Sequence, residues 1–313
     1  MAMTLADAAA LSNNQRQTSV VESLMVSTTV LDRLPFETVT GNAFEYDQEA
    51  TLPAAAFRAV NAGYTESTGT TAKATESLVI LGGEYVVDRF LQQTRGNLVN
   101  LLDEQQRMKT KSINAKYSDT FINGDTAVDA NSFNGLKKRL TGGQVVSMGT
   151  NGAPIVGNGT TDIDTFFDAL DSLIGLVPGC DVLYTNAAVL AKFRSAARRK
   201  TSSQTTVDNL GRTVDTYNGI PIVDVGKKAD QTNIIPQTET QGTSNVASSI
   251  YAVNFTDTLG EQGVAGLTNG GLQVDPPRQM ESKPSWLGRI EFYCGLALLG
   301  PQPAARLTGV LAS

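Results

Sequence analysis

Histidine is absent from all 313 residues. That removes the commonest general base, the usual activation of serine and cysteine nucleophiles, and imidazole metal ligands. Cysteine is nearly absent: Cys180 and Cys294 stand alone and far apart. They read as two buried free thiols, with a single bridge as the alternative. Positive charge is not in excess, since 25 Lys and Arg face 31 Asp and Glu for a net charge of −6. A dedicated nucleic-acid binder usually shows the opposite balance. The longest apolar run, near Tyr293 to Leu299, is too short to span a bilayer, so no membrane partner is expected. The opening MAMTLADAAALSNN carries Asp7 and no basic n-region, which argues against a signal peptide and for synthesis and retention in the cytoplasm.

Catalytic signatures are missing as well. Gly142-Gly143, Gly157 and Gly159 form neither GxxxxGK[ST] nor GxGxxG. The segment Thr201 to Thr206 has no GxSxG elbow. Asp103-Glu104, Asp162 with Asp164, and Asp168 with Asp171 read as solvated surface carboxylates rather than acid–base or metal machinery. No catalytic residue, cofactor or metal site is expected, and no internal repeat is present.

What is present is an ordinary globular composition, 41% hydrophobic and 18% charged. The length suffices for roughly one to three domains. Residues 4–30 read as a helical or arm-like segment. From Pro35 to Asp88 the pattern turns to strands. Phe44 and Tyr46 alternate with Glu45 and Asp47, and the run from Leu78 to Val87 is taken as the return. Between them Thr51 to Thr75 is rich in Ala, Gly and Thr, with Phe57 and Arg58 at its centre. This reads as a long projecting hairpin, stable only when it lies on another subunit.

The clearest helix is expected over Leu98 to Thr120. Leu98, Leu101, Leu102, Met108, Ile113 and Tyr117 fall on about half its circumference. Arg107, Lys109, Lys111 and Lys116 point in several directions, which suits a solvated helix with salt bridges better than a DNA-facing stripe. Asn123-Gly124-Asp125 then marks a sharp turn, with left-handed dihedrals allowed by Gly and Asn. Thr141 to Thr160 reads as loop.

Beyond it, Thr161 or Asp162 caps a helix with Ile163, Phe166, Phe167, Leu170, Leu173 and Ile174 on one face. Pro178-Gly179 ends it. A short strand follows at Asp181 to Thr185, a helix at Ala187 to Arg199, and a strand at Ile220 to Val225 after an Asn218-Gly219 turn. This is a compact α/β unit. The basic cluster Arg194, Arg198, Arg199 and Lys200 ends a helix, where cations complement the dipole. Its functional alternative is a ring contact with a neighbour's carboxylates, Asp208 and Asp215 being candidates. The remainder holds strands expected at Ile250 to Phe255, Gly263 to Leu267, Gly271 to Val274, Arg289 to Leu299 and Ala304 to Leu311, punctuated by Pro276-Pro277 and by Pro301 and Pro303.

The order of these elements resembles the major capsid proteins of tailed phages, the Hong Kong 97 capsid fold. Local phrases agree: LPF at Leu34 to Phe36, AAFRAVNAGYTES at Ala55 to Ser67, FINGD at Phe121 to Asp125, and RIEFYCGLALLGPQPAARLTGV at Arg289 to Val310. The resemblance implies an α+β fold divided into an N-terminal arm at 1–35, an extended hairpin loop at 36–75, a peripheral domain at 76–160 with a spine helix at 98–120, and an axial α/β domain at 161–248. C-terminal strands at 249–313 would complete the axial and peripheral domains. It implies a non-enzymatic shell protein that assembles as hexamers and pentamers into an icosahedral virion capsid around double-stranded DNA, built in the host cytoplasm. Phe57, Arg58, Glu66, Arg194, Arg198, Arg199 and Lys200 are the candidate intersubunit contacts, and Asn123, Gly124 and Asp125 the structural turn.

Partners implied are further copies of the chain, a portal protein, a decoration protein and the packaged DNA, touched non-specifically. An acidic subunit suits a container that must not grip DNA strongly. About 35 residues precede the hairpin, so any scaffolding is expected to be a separate protein. Lys73 lies in the loop region without a matching acceptor, so a non-covalent shell is expected. Two other readings stand beside this one: an encapsulin-like nanocompartment shell with protein cargo, and a histidine-free α/β enzyme.

Overall fold

A computed structural model describes residues 29–95, 100–200, 204–207, 213–258 and 260–312. Most of the expected arm, the first residues of the expected spine helix and Asp208 lie outside them. In chain order the first elements are β1 (Phe36–Thr38), β2 (Ala43–Thr51), β3 (Thr70–Ser77), β4 (Val79–Asp88) and α1 (Arg89–Arg95). Then come α2 (Leu101–Asn123), α3 (Leu136–Arg139), β5 (Val145–Ser147), β6 (Ala153–Pro154) and α4 (Thr160–Gly175). The next group is β7 (Val182–Thr185), α5 (Ala187–Arg199), β8 (Gln204–Val207), β9 (Thr213–Tyr217) and β10 (Ile220–Asp224). The chain closes with β11 (Glu239–Gln241), β12 (Ser244–Val253), β13 (Gly263–Gln279), β14 (Ser285–Leu299) and β15 (Ala304–Leu311).

Three sheets result. A four-stranded sheet has the order β1-β13-β14-β4, and β2 pairs only with β3 in a two-stranded ribbon. A nine-stranded sheet runs β5-β15-β12-β7-β10-β9-β8, with β6 beside β15 and β11 beside β12.

Several of these strands differ from the pattern in the sequence. The hairpin returns along β3, with Ala43 opposite Ser77 and Asp47 opposite Lys73, whereas β4 belongs to the four-stranded sheet against β14. The sequence TTAKATES has no apolar alternation because neither of its faces is buried in the subunit, so periodicity gives no signal there. Likewise β13 continues through Pro276-Pro277. The ladder shifts register between Asp275 and Arg278, and a bulge absorbs the missing N–H donors. The stretch expected as loop before α4 contributes β5 and β6, both parallel to β15.

Elsewhere local chemistry predicts local structure well. Asn218 and Gly219 both take positive φ, 52° and 83°, the signature of the two-residue turn joining β9 to β10. Asn186 caps α5 by accepting the Val189 N–H at 3.0 Å. Helix α4 begins at Thr160 with Gly159 in the cap position, two residues before the first of the expected caps, and has no side-chain cap bond. Its apolar stripe buries Ile163, Phe166, Leu170 and Leu173 against the nine-stranded sheet, with Phe193 of α5 in the same cluster. Full burial of each such side chain is worth about 1.5–3 kcal/mol.

A second core lies where α2 meets the four-stranded sheet and β7 and β12. Tyr117 is fully buried there among Phe36, Phe133 and Phe292, with ring centroids 5.7, 5.7 and 5.8 Å away. Val30 and Leu34, at the end of the expected arm, are buried in this same core. Helix α2 itself runs three residues later than the expected 98–120 span at its end, through Asn123, and Met108 on the expected apolar face is exposed. Burial concentrates instead on its last turns, at Tyr117, Phe121 and Ile122. Cys180 and Cys294 are both free thiols. Burial pushes the Cys180 thiol up to about 11 and the Cys294 thiol up to about 12, so both stay protonated and unreactive at neutral pH.

Candidate assembly surfaces

The turn after α2 is tightly built. Gly124 ends the helix at φ −53°, ψ 135°, not in the left-handed region expected for it. Its need for glycine is steric. A Cβ at Gly124 would sit 2.3 Å from the Phe133 carbonyl oxygen and 2.5 Å from that of Thr120, and one at Gly135 would sit 2.4 Å from the same Thr120 oxygen. The two glycines let the backbones touch: the Gly135 N–H donates to the Gly124 carbonyl at 2.9 Å. Asn123 donates from Nδ2 to the Ile234 carbonyl at 2.7 Å and to Asp119 at 2.8 Å. Asp125 accepts the Ala127 N–H at 2.9 Å and the Lys138 ammonium at 3.1 Å. These bonds hold its carboxyl below the usual range, the backbone N–H being the larger cause.

The turn folds α3 into a hub. Each of its three cations reaches a different element. Lys137 pairs with Glu239 of β11 at 2.8 Å, Lys138 with Asp125 in the turn, and Arg139 with Glu76 at the base of the hairpin. Arg139 also donates to the Leu296 carbonyl of β14 at 3.3 Å. On the far side Glu239 receives two bonds from the Arg306 guanidinium, at 2.9 and 3.0 Å, and one from Ser249. Burial alone would raise the Glu239 carboxyl. The bonds from Lys137 and Ser249 and the charge of Arg306 outweigh it, leaving the carboxyl below its usual value. One short helix therefore ties together the hairpin, the end of α2 and the nine-stranded sheet.

The hairpin tip is the opposite case. Phe57, Val60 and Leu52 are 107%, 90% and 77% exposed. Arg58 stays within the tip, 5.4 Å above the Tyr64 ring and bonded to the Ala62 carbonyl at 3.2 Å. Glu66 is exposed and makes no ion pair among the described residues. Lys73 pairs diagonally across the ribbon with Glu45 at 2.7 Å. Beyond its base the ribbon is anchored to the body by Tyr46, whose hydroxyl donates to the Leu298 carbonyl at 3.1 Å, and by Phe44, packed with it against Val39, Leu267, Ala297 and Leu299.

At the end of α5 the basic cluster divides. Arg194 pairs with Asp215 of its own chain at 2.6 Å, and Lys200 pairs with Asp164. Arg198 and Arg199 are exposed. The structure thus brings Arg194 and Asp215 together within the subunit and leaves only the last arginines facing outward. Along α2, Arg107 faces Glu104 at 3.6 Å. The hub ion pairs escaped sequence reasoning because their partners lie up to 102 residues apart.

The sequence model of the family Major capsid protein GP7 matches residues 12–166. In fold, the chain is similar to the capsid of the native GTA particle, at 15% identity with 94% of each chain covered and a TM-score of 0.65. The chain has the Hong Kong 97-type capsid fold. The capsid of Myoviridae phage XM1 is similar over 96% of this chain and 98% of that one, at 11% identity and a TM-score of 0.61. An encapsulin shares the fold as well. The SrpI encapsulin of Synechococcus elongatus PCC 7942 is 17% identical over 100% of this chain and 98% of its own, with a TM-score of 0.71. No curated protein sequence matches the chain.

Proposed function

We propose that this capsid subunit forms hexamers and pentamers that close into an icosahedral shell around double-stranded DNA. The observation that carries this reading is the hairpin: a two-stranded ribbon with a fully exposed phenylalanine at its tip. Alone in water such a ribbon is marginal. Interfaces on the order of 2,000 Å² or more order segments of this kind, and closed symmetry covers their edges. In this reading Phe57, Arg58 and Glu66 contact a neighbouring subunit, and Arg198 and Arg199, with Arg194 and Lys200 behind them, face the symmetry axis. The α2 helix with the four-stranded sheet forms the peripheral domain, and α4, α5 and the nine-stranded sheet the axial one.

Its role is structural, without turnover. Assembly takes place in the host cytoplasm with a portal protein and a separate scaffolding protein, and the finished virion carries the chain as its non-covalent shell. Size exclusion and negative-stain microscopy test this, with nuclease-protected DNA inside megadalton particles as the expected result.

A nanocompartment shell is the second reading. It is favoured by the encapsulin likeness, whose TM-score of 0.71 exceeds the 0.65 of the GTA capsid. Protein in place of nucleic acid inside purified particles decides for it.

A further inference from the structure

Helix α5 and its cap residue Lys200 carry five cations, Lys192, Arg194, Arg198, Arg199 and Lys200, and no acid. The chain around them has a net charge of −6. Two of the five are neutralised inside the subunit, Arg194 by Asp215 of β9 and Lys200 by Asp164 of α4. Lys192, Arg198 and Arg199 make no ion pair among the described residues, and both arginines are exposed. Lys192 and Arg199, seven residues apart, lie on one side of the helix, about 10 Å from each other along its axis. In a single subunit the carbonyl end of α5 offsets part of the charge of the last arginines.

A ring of copies upsets that balance. With Arg198 and Arg199 facing the axis, five copies bring together ten unpaired guanidinium groups, and six copies bring twelve, two from each. Salt of physiological strength screens such repulsion only beyond about 8 Å, so like charges around an axis oppose closure. A DNA duplex is a poor counterion here. A patch of about 10 Å meets only a few phosphates of one strand, and the acidic subunit repels the rest. A small anion carrying several phosphate groups fits better. Guanidinium forks grip phosphate oxygens two at a time, and one such anion on the axis meets every copy.

Resting on the shell-forming reading, we infer that Arg198 and Arg199 of all copies in a ring form one binding site for a small oligophosphate on the symmetry axis. No single copy holds the site. The anion supplies the negative charge that the subunit leaves out at the end of α5, and the ring closes without net repulsion.

Inorganic tripolyphosphate is the probe. Wild-type shells freed of polyvalent anions in low salt should unfold at a lower temperature than shells given the probe. Calorimetric titration should show one anion bound per ring. Arg198→Gln combined with Arg199→Gln removes both the repulsion and the site. Shells of that variant should be stable without the probe and bind it at least about a hundredfold more weakly. Arg198→Lys combined with Arg199→Lys keeps the charge but loses the fork, and should bind at least about fivefold more weakly. Wild-type shells indifferent to the probe, glutamine shells that bind it as tightly, or one anion per subunit would each overturn the site. Glutamine rings weaker than wild type would overturn it too, and would assign the arginines to a neighbour's carboxylates. Duplex DNA held by free subunits through the same arginines would make the face a nucleic-acid contact instead. A wild type that forms no shells would overturn the shell reading and the anion site with it.

Discussion

Two antiparallel strand pairs of similar length have opposite environments in this molecule. In β12, seven consecutive residues from Ala247 to Val253 are buried, and β15 beside it is largely buried too. In β2 and β3 no residue is buried. Both pairs have extended backbone ladders with one register shift each, so hydrogen bonding does not separate them. Apolar burial does, and it is what stabilises a strand pair in water. The first pair holds the subunit together, while the second has surface to offer another subunit. Stability and assembly are therefore assigned to different residues, and substitutions should separate them.

The largest effect on stability is expected at the turn. Gly124→Val places side-chain atoms into two backbone carbonyls that cannot retreat, and should cost about 3 kcal/mol or more. A fall in the urea midpoint at unchanged slope measures it, and shell yield should collapse with it. A stable Gly124→Val subunit would mean that the turn is looser than its contacts indicate.

Next comes Glu239. Glu239→Gln leaves Lys137 and Arg306 facing a neutral amide in a largely buried site, and should cost about 2 kcal/mol. The same carboxyl gives a pH signature. Its folded value lies below its unfolded one. Its contribution is therefore complete above the ordinary glutamate value of about 4.3 and is lost as pH falls through the folded value. The stability difference between wild type and Glu239→Gln should be full at neutral pH and shrink as pH falls below the ordinary glutamate value and through the folded one; a difference that does not change with pH would refute this part.

Smaller still is the hairpin base. Glu76→Gln releases Arg139 from a partly buried pair and should cost about 1 kcal/mol. Hydrogen exchange should rise within residues 43–77 while the protection of β12 and β15 holds. Equal acceleration everywhere would show that α3 does not anchor the hairpin locally.

At the bottom of the scale, Phe57→Ser should shift subunit stability by less than about 0.5 kcal/mol, because the ring touches nothing in its own subunit. Its effect should fall on assembly instead.

Much of this division was legible in the sequence, for reasons that differ by element. The bounds of α5 follow from Asn186 as cap and an apolar stripe through Phe193, and β15 is found where its apolar run lies. Helix α2 was recognised but misplaced at its end, since Phe121 and Ile122 are buried by tertiary packing rather than by its own periodicity. Strand β3 left no trace because a strand exposed on both faces needs no alternation. The turn at Asn123 to Asp125 was visible as a break, yet the reason for its glycine was not. That reason is Phe133, nine residues on, and no local rule reports it. The α3 hub was invisible, because its acids come from 63 and 102 residues away.

The most direct test is sedimentation of the purified wild type beside Phe57→Ser, under conditions where both subunits are folded. The account predicts megadalton shells for the wild type and free subunits or small oligomers of unchanged unfolding midpoint for the variant. Small oligomers from the wild type, or intact shells from Phe57→Ser, would contradict it.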